Sequence, residues 1–162
     1  MSELTSKSTL FLAQLIALFL YPSAWAQDSH ANYYYPAPLT QEVYASFASK
    51  RPDASKRSRV GFTVGLNALQ RKHNYAPTHH MFAKGAEGQK LIIIATETGR
   101  YNTLYRLRAL LASLSADARA TPLFRKLPSP ENANFLDLCK LIGFERVTIS
   151  DGDKIAHTIL LR

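Results

Sequence analysis

The chain has 162 residues, one cysteine, 46% hydrophobic residues and a formal charge of +8. That length suits one hydrophobic core and is too short for two comfortable ones. A single cysteine excludes an internal disulfide, so stability has to come from packing.

Met1 to Lys7 is short and polar, and Ser8 to Leu20 is almost entirely apolar, interrupted by Gln14. These are the n- and h-regions of an export signal. The apolar run is shorter than the ~20 residues a membrane-spanning helix needs, and Pro22 breaks it. Ser23-Ala24-Trp25-Ala26 places alanines where a signal peptidase requires small side chains. Cleavage between Ala26 and Gln27 is therefore expected, giving a periplasmic or secreted protein, with an uncleaved anchor as the alternative because Glu3 cancels Lys7. Removing residues 1–26 takes away one Lys and one Glu, so the +8 charge stays with the remainder.

Residues 27–58 read as an extended, basic N-terminal arm, and 59–162 as a single α+β domain. The arm opens with Tyr33, Tyr34 and Tyr35 before Pro36 and Pro38, which bar a regular helix. Thr40 to Ser49 is predicted as a short helix with Val43, Tyr44 and Phe47 on one side. Lys50, Arg51, Lys56, Arg57 and Arg59 then stand against one acid, Asp53, in a segment that reads as a loop.

From Val60 to Ala68 apolar and polar or glycine positions alternate, which predicts a half-buried strand. Thr78 to Ala83 predicts a second strand, and Gly85 to Gly88 a turn into Lys90–Thr96. The latter run is short, apolar and rich in β-branched residues, the signature of a strand covered on both faces. Arg100 to Ala118 switches to helical spacing, with Leu104, Leu107, Leu111 and Leu114 on one stripe. A second helix is predicted from the N-cap Ser129 and first-turn Pro130, burying Phe135, Leu138, Cys139 and Ile142 and ending at Gly143. Glu145–Ser150, the turn Asp151-Gly152 and Asp153–Leu161 predict a closing hairpin. The expected fold is an antiparallel sheet of about five strands in the chain order β-β-β-α-α-β-β, with two helices on one face.

Candidate chemistry is sparse. On a strand, His79 and His80 point to opposite faces and cannot readily share an ion. His157 lies on the face of Ile155, Ile159 and Leu161, where a hydrogen-bonded packing histidine is the ordinary reading. No serine sits in a Gly-x-Ser-x-Gly elbow, and the glycines at 85 and 88 belong to a hairpin, not a phosphate loop. Asp151-Gly152-Asp153 lacks the remaining ligands of a calcium loop. Cys139, on the buried stripe of a helix, reads as a small hydrophobe. No cofactor, metal or catalytic residue is assigned from these patterns.

The stretch from Asn134 to Gly152, with His157 after it, and the arm His30-Ala-Asn-Tyr-Tyr-Tyr-Pro36 resemble a group of small exported bacterial proteins of unknown role. Some of that group carry the label of molybdopterin-guanine dinucleotide biosynthesis protein A. An enzyme of that name is cytoplasmic and opens on a glycine-rich nucleotide loop, where this chain has an export signal. The resemblance therefore implies the domain boundaries and no mechanism.

The charge excess directs the functional expectation. Outside the cytoplasm the available anions are lipid head groups, cell-wall carboxylates and acidic proteins more often than nucleic acid. The expected role is a non-catalytic exported domain binding an anionic envelope component or an acidic protein, with the membrane surface as a further anionic surface. Its contact residues would be Lys50, Arg51, Lys56, Arg57 and Arg59, with Tyr33, Tyr34 and Tyr35 available to stack. The alternatives are a small metal-dependent or hydrolytic enzyme using His73, His79 or His157 across strands, and an accessory or assembly subunit of a membrane complex.

Overall fold

A computed structural model describes residues 35–72, 74–97 and 99–162. The expected export signal at 1–26, together with His30, Tyr33, Tyr34 and His73, lies outside the described residues.

The described chain is α+β. Its strands are β1 (Thr40–Tyr44), β2 (His79–Lys84), β3 (Lys90–Ala95), β4 (Arg146–Ser150) and β5 (Ala156–Leu161). The helices are α1 (Lys56–Gln70), α2 (Leu104–Arg119) and α3 (Phe135–Ile142), with a short 3-10 turn at Phe124–Lys126. The sheet runs β1-β5-β4-β3-β2. It is mixed, not antiparallel: β1 with β5 and β3 with β4 are parallel, while β2 with β3 and β4 with β5 are antiparallel. Three helices replace the two expected, and the chain order becomes β-α-β-β-α-α-β-β.

Three local readings change with it. The expected strand at Val60–Ala68 is the middle of α1, which starts at Ser55 with a reciprocal Ser55/Ser58 capping box. Phe62 and Leu66, four residues apart, satisfy both a period of two and a helical period. What separates the two is that Arg59 and Thr63 are buried beside them, whereas Val60 and Val64 are exposed. The expected helix at Thr40–Ser49 is instead β1. Its register is set by β5, Thr40 opposite His157 and Tyr44 opposite Leu161, and the pairing continues through Ser46 N–H to the Arg162 carbonyl. The helix expected to be capped by Ser129 is capped five residues later, by Asn134. Ser129–Asn132 closes a turn, and Asn134 caps α3 by accepting from the N–H groups of Leu136 and Asp137.

The hydrophobic core gathers on one face of the sheet. Leu91 and Ile93 of β3, Val147 and Ile149 of β4, and Ile159 and Leu161 of β5 join one cluster with the leucines of α2 and with Phe135, Leu138 and Cys139 of α3. Their alternation along each strand is the period-2 pattern the sequence displays. α1 packs against β2, an edge strand of the sheet. There the Asn67 side chain bonds both the N–H and the carbonyl of Met81.

Gly143 ends α3 at φ 95°, the left-handed cap its position suggests. A Cβ there would come within 2.8 Å of Arg59 Nη1 and 3.1 Å of Ala54 Cβ, so glycine is required by contact as well as by backbone.

Candidate functional site

The basic segment divides into two kinds of cation. Arg59 is 3% exposed and faces inward. It donates from Nε and Nη2 to the Glu87 carbonyl at 3.0 and 2.7 Å, and its Nη1 reaches the Gly143 carbonyl. That guanidinium ties α1 to the β2–β3 turn and to the end of α3. Lys50, Lys56 and Arg57 are exposed, and Arg51 is half-buried.

Arg51 is engaged by Asp53, with Nε donating to Oδ1 at 2.8 Å. The same bond holds the Asp53 carboxyl below its ordinary range, with a smaller contribution from the charge of Lys126. Arg125 and Lys126 of the 3-10 turn are also exposed. The first turn of α1 contains no acidic residue, so the positive end of the helix dipole adds to these charges instead of being offset. A hollow of about 220 Å³ opens beside them, lined by Arg51, Asp53, Ser58, Phe62, Leu123 and Ile142. Tyr35 is half-buried before β1.

His157 is 2% exposed on β5. Its Nδ1 lies 2.8 Å from Thr40 Oγ1 on β1. Its Nε2 is 3.2 Å from Glu42 Oε1 without the alignment of a hydrogen bond. Glu42 is also paired with Arg108 of α2. The order hydroxyl, imidazole, carboxylate is that of a nucleophile, its base and an orienting acid. Here the carboxylate is shared with a guanidinium, and neither hollow described in this section touches the group. What it accomplishes is to join β1, β5 and α2.

His79 and His80 do lie on opposite faces, buried and exposed respectively. His79 is 3.0 Å from the Gln70 side-chain nitrogen through Nε2 and 3.0 Å from Thr78 Oγ1 through Nδ1. An amide nitrogen can only donate, so Nε2 accepts and Nδ1–H donates to Thr78: a neutral imidazole with both nitrogens in use. Burial, with help from the neighbouring His80, pushes its pKa down to about 4. His79 lines a second groove of about 450 Å³ between the end of α1, Lys72, the segment Tyr75–Thr78 and α2. No pattern in the sequence points to that groove, because its walls come from segments far apart in the chain.

Two further polar groups are structural. Asp137, fully buried, accepts from Tyr44 Oη at 3.0 Å, Ser46 Oγ at 2.7 Å and its own capping partner Asn134 N–H at 3.0 Å. Burial first, and then the bond to Asp137, raise the Tyr44 pKa. Asp151 closes the β4–β5 loop by accepting from the N–H groups of Asp153, Lys154 and Ile155. Burial would raise its pKa, and these backbone bonds more than reverse that. Its carboxylate is thereby committed to the turn. Cys139 is completely buried and its thiol pKa lies well above the ordinary value, first from burial and then from Asp137.

Among the described residues no group of three His, Cys, Asp or Glu side chains is placed to hold a metal ion. Nor, among them, is any helix long and apolar enough to cross a membrane. Comparison with protein-family models, with curated proteins and with solved structures finds no match to this chain.

Proposed function

We propose that this protein is an exported, non-catalytic binding domain whose basic end holds an anionic envelope component, with an acidic protein as the second partner class. The observation that carries the reading is the placement of Lys50, Lys56 and Arg57, exposed at the N-terminal end of α1 beside Arg51, with no acid in the helix's first turn. Like charges held together on a rigid helix end attract polyanions at long range and lose that attraction as salt screens it. Export is supported by the n-region, h-region and alanine pattern before Gln27. It is consistent with the likeness of Asn134–Gly152 to small exported bacterial proteins.

The test is co-sedimentation with vesicles containing phosphatidylglycerol, with neutral vesicles alongside, at low and high salt. Binding to the anionic vesicles should fall steeply with salt and be largely lost when Lys50, Arg51, Lys56 and Arg57 are replaced by Ser. Arg59 is left in place because it serves the fold. Salt-insensitive binding, or binding unchanged in the fourfold variant, refutes this reading. Stable co-purification with an integral membrane complex would favour an accessory subunit instead.

A further inference from the structure

The groove beside His79 has a different character from the basic end. At about 450 Å³ it falls in the size range of small-molecule sites. Its apolar lining includes Leu66, Leu114 and Phe135, the last two buried core residues. Tyr75 stands at its mouth, 80% exposed. The imidazole of His79 offers a ligand no free nitrogen, since Gln70 and Thr78 occupy both.

Among the described residues, the charged groups that the groove offers a ligand are of opposite sign. Lys72 and Asp117 both line the groove and are both exposed, yet they form no ion pair with each other, and neither side chain has a partner among the described residues. An anion alone would gain Lys72 and meet repulsion from Asp117, and a cation alone the reverse. A molecule carrying both charges next to an apolar body matches both carboxylate and ammonium while covering the hydrophobic lining.

We propose that this groove binds a small zwitterion with an apolar body, a free amino acid of the phenylalanine or leucine type. Its side chain covers Leu66 and Leu69, its carboxylate meets Lys72 and its ammonium meets Asp117. The site is separate from the basic end, so its failure would leave the anion-binding proposal untouched.

Titration of the isotopically labelled protein with L-phenylalanine and L-leucine, followed by amide chemical shifts, tests this. Phenylethylamine and 3-phenylpropanoate serve as the cation-only and anion-only probes. Saturable shifts at Thr78, Ser113 and Leu114 are expected for the amino acids, with affinity about tenfold weaker for either single-charge probe. Lys72→Gln and Asp117→Asn should each lower amino-acid affinity by about the same factor. Both residues are exposed, so an unchanged unfolding midpoint would show that the variants remain folded. No saturable shift at these residues overturns the proposal, as does equal affinity for a single-charge probe or unaltered binding in both variants.

Discussion

The side-chain amide of Asn67 pairs with the backbone of Met81 in both directions, accepting from its N–H at 3.0 Å and donating to its carbonyl at 2.8 Å. Met81 sits mid-way along the edge strand β2, and Asn67 thus supplies the pairing a neighbouring strand would give, from a helix. Unpaired strand edges invite pairing with other chains, and this contact covers one. Asn67→Ala leaves two backbone groups without their partner and should cost about 1–3 kcal/mol. Urea unfolding measures the loss, and light scattering near the midpoint should reveal increased association.

His79 makes stability depend on pH. The unfolded chain takes up a proton at the ordinary histidine value near 6.5, the folded protein only below about 4. Between these values the unfolded state holds more protons, so stability is fully present above pH 6.5 and declines as pH falls toward 4. The contribution is on the order of 3 kcal/mol. His79→Gln should flatten this part of the stability profile relative to the parent, measured by urea midpoints across the range. An unchanged slope would mean that the imidazole is not held neutral.

Arg59 and Arg57 are two residues apart and should behave oppositely. Arg59→Met strips the Glu87 and Gly143 carbonyls of a buried donor and should cost about 2–4 kcal/mol. Arg57→Ser, on the exposed side of α1, should change stability by less than about 0.5 kcal/mol. Paired unfolding curves decide it.

Gly143→Ala forces a left-handed residue to carry a Cβ and pushes that atom against Arg59 and Ala54. A loss of about 2 kcal/mol or more is expected. Because Arg59 Nη1 is the nearest atom, the cost should shrink when Arg59→Met is also present. A double-mutant cycle measures that coupling.

Much of the fold was legible where one period dominated. The leucines of α2, the β-branched run of β3 and the β4–β5 hairpin each had a pattern that fits one kind of element. α1 was misread because its inward face carries Arg59 and Thr63, polar by composition yet buried, and its outward face carries Val60 and Val64. β1 was misread because Thr40 and Glu42 on the side facing α2 are polar, and what makes it a strand is a partner at the other end of the chain. The same limit applied to the basic segment. Charge counting treats Arg59 and Arg57 alike, and a helical period is needed to send one inward and the other to water.

The parallel pairing of β1 with β5 sets Thr40 against His157, 117 positions later. A growing polypeptide can pair β2 with β3 before the β5 segment emerges, but β1 has nothing to align with until β5 has been synthesised. The β1–β5 pairing is a long-range contact, of the kind that slows folding. Until the β5 segment is available, the edge of β4 that receives it stays unpaired, and Thr40–Tyr44 has no strand beside it.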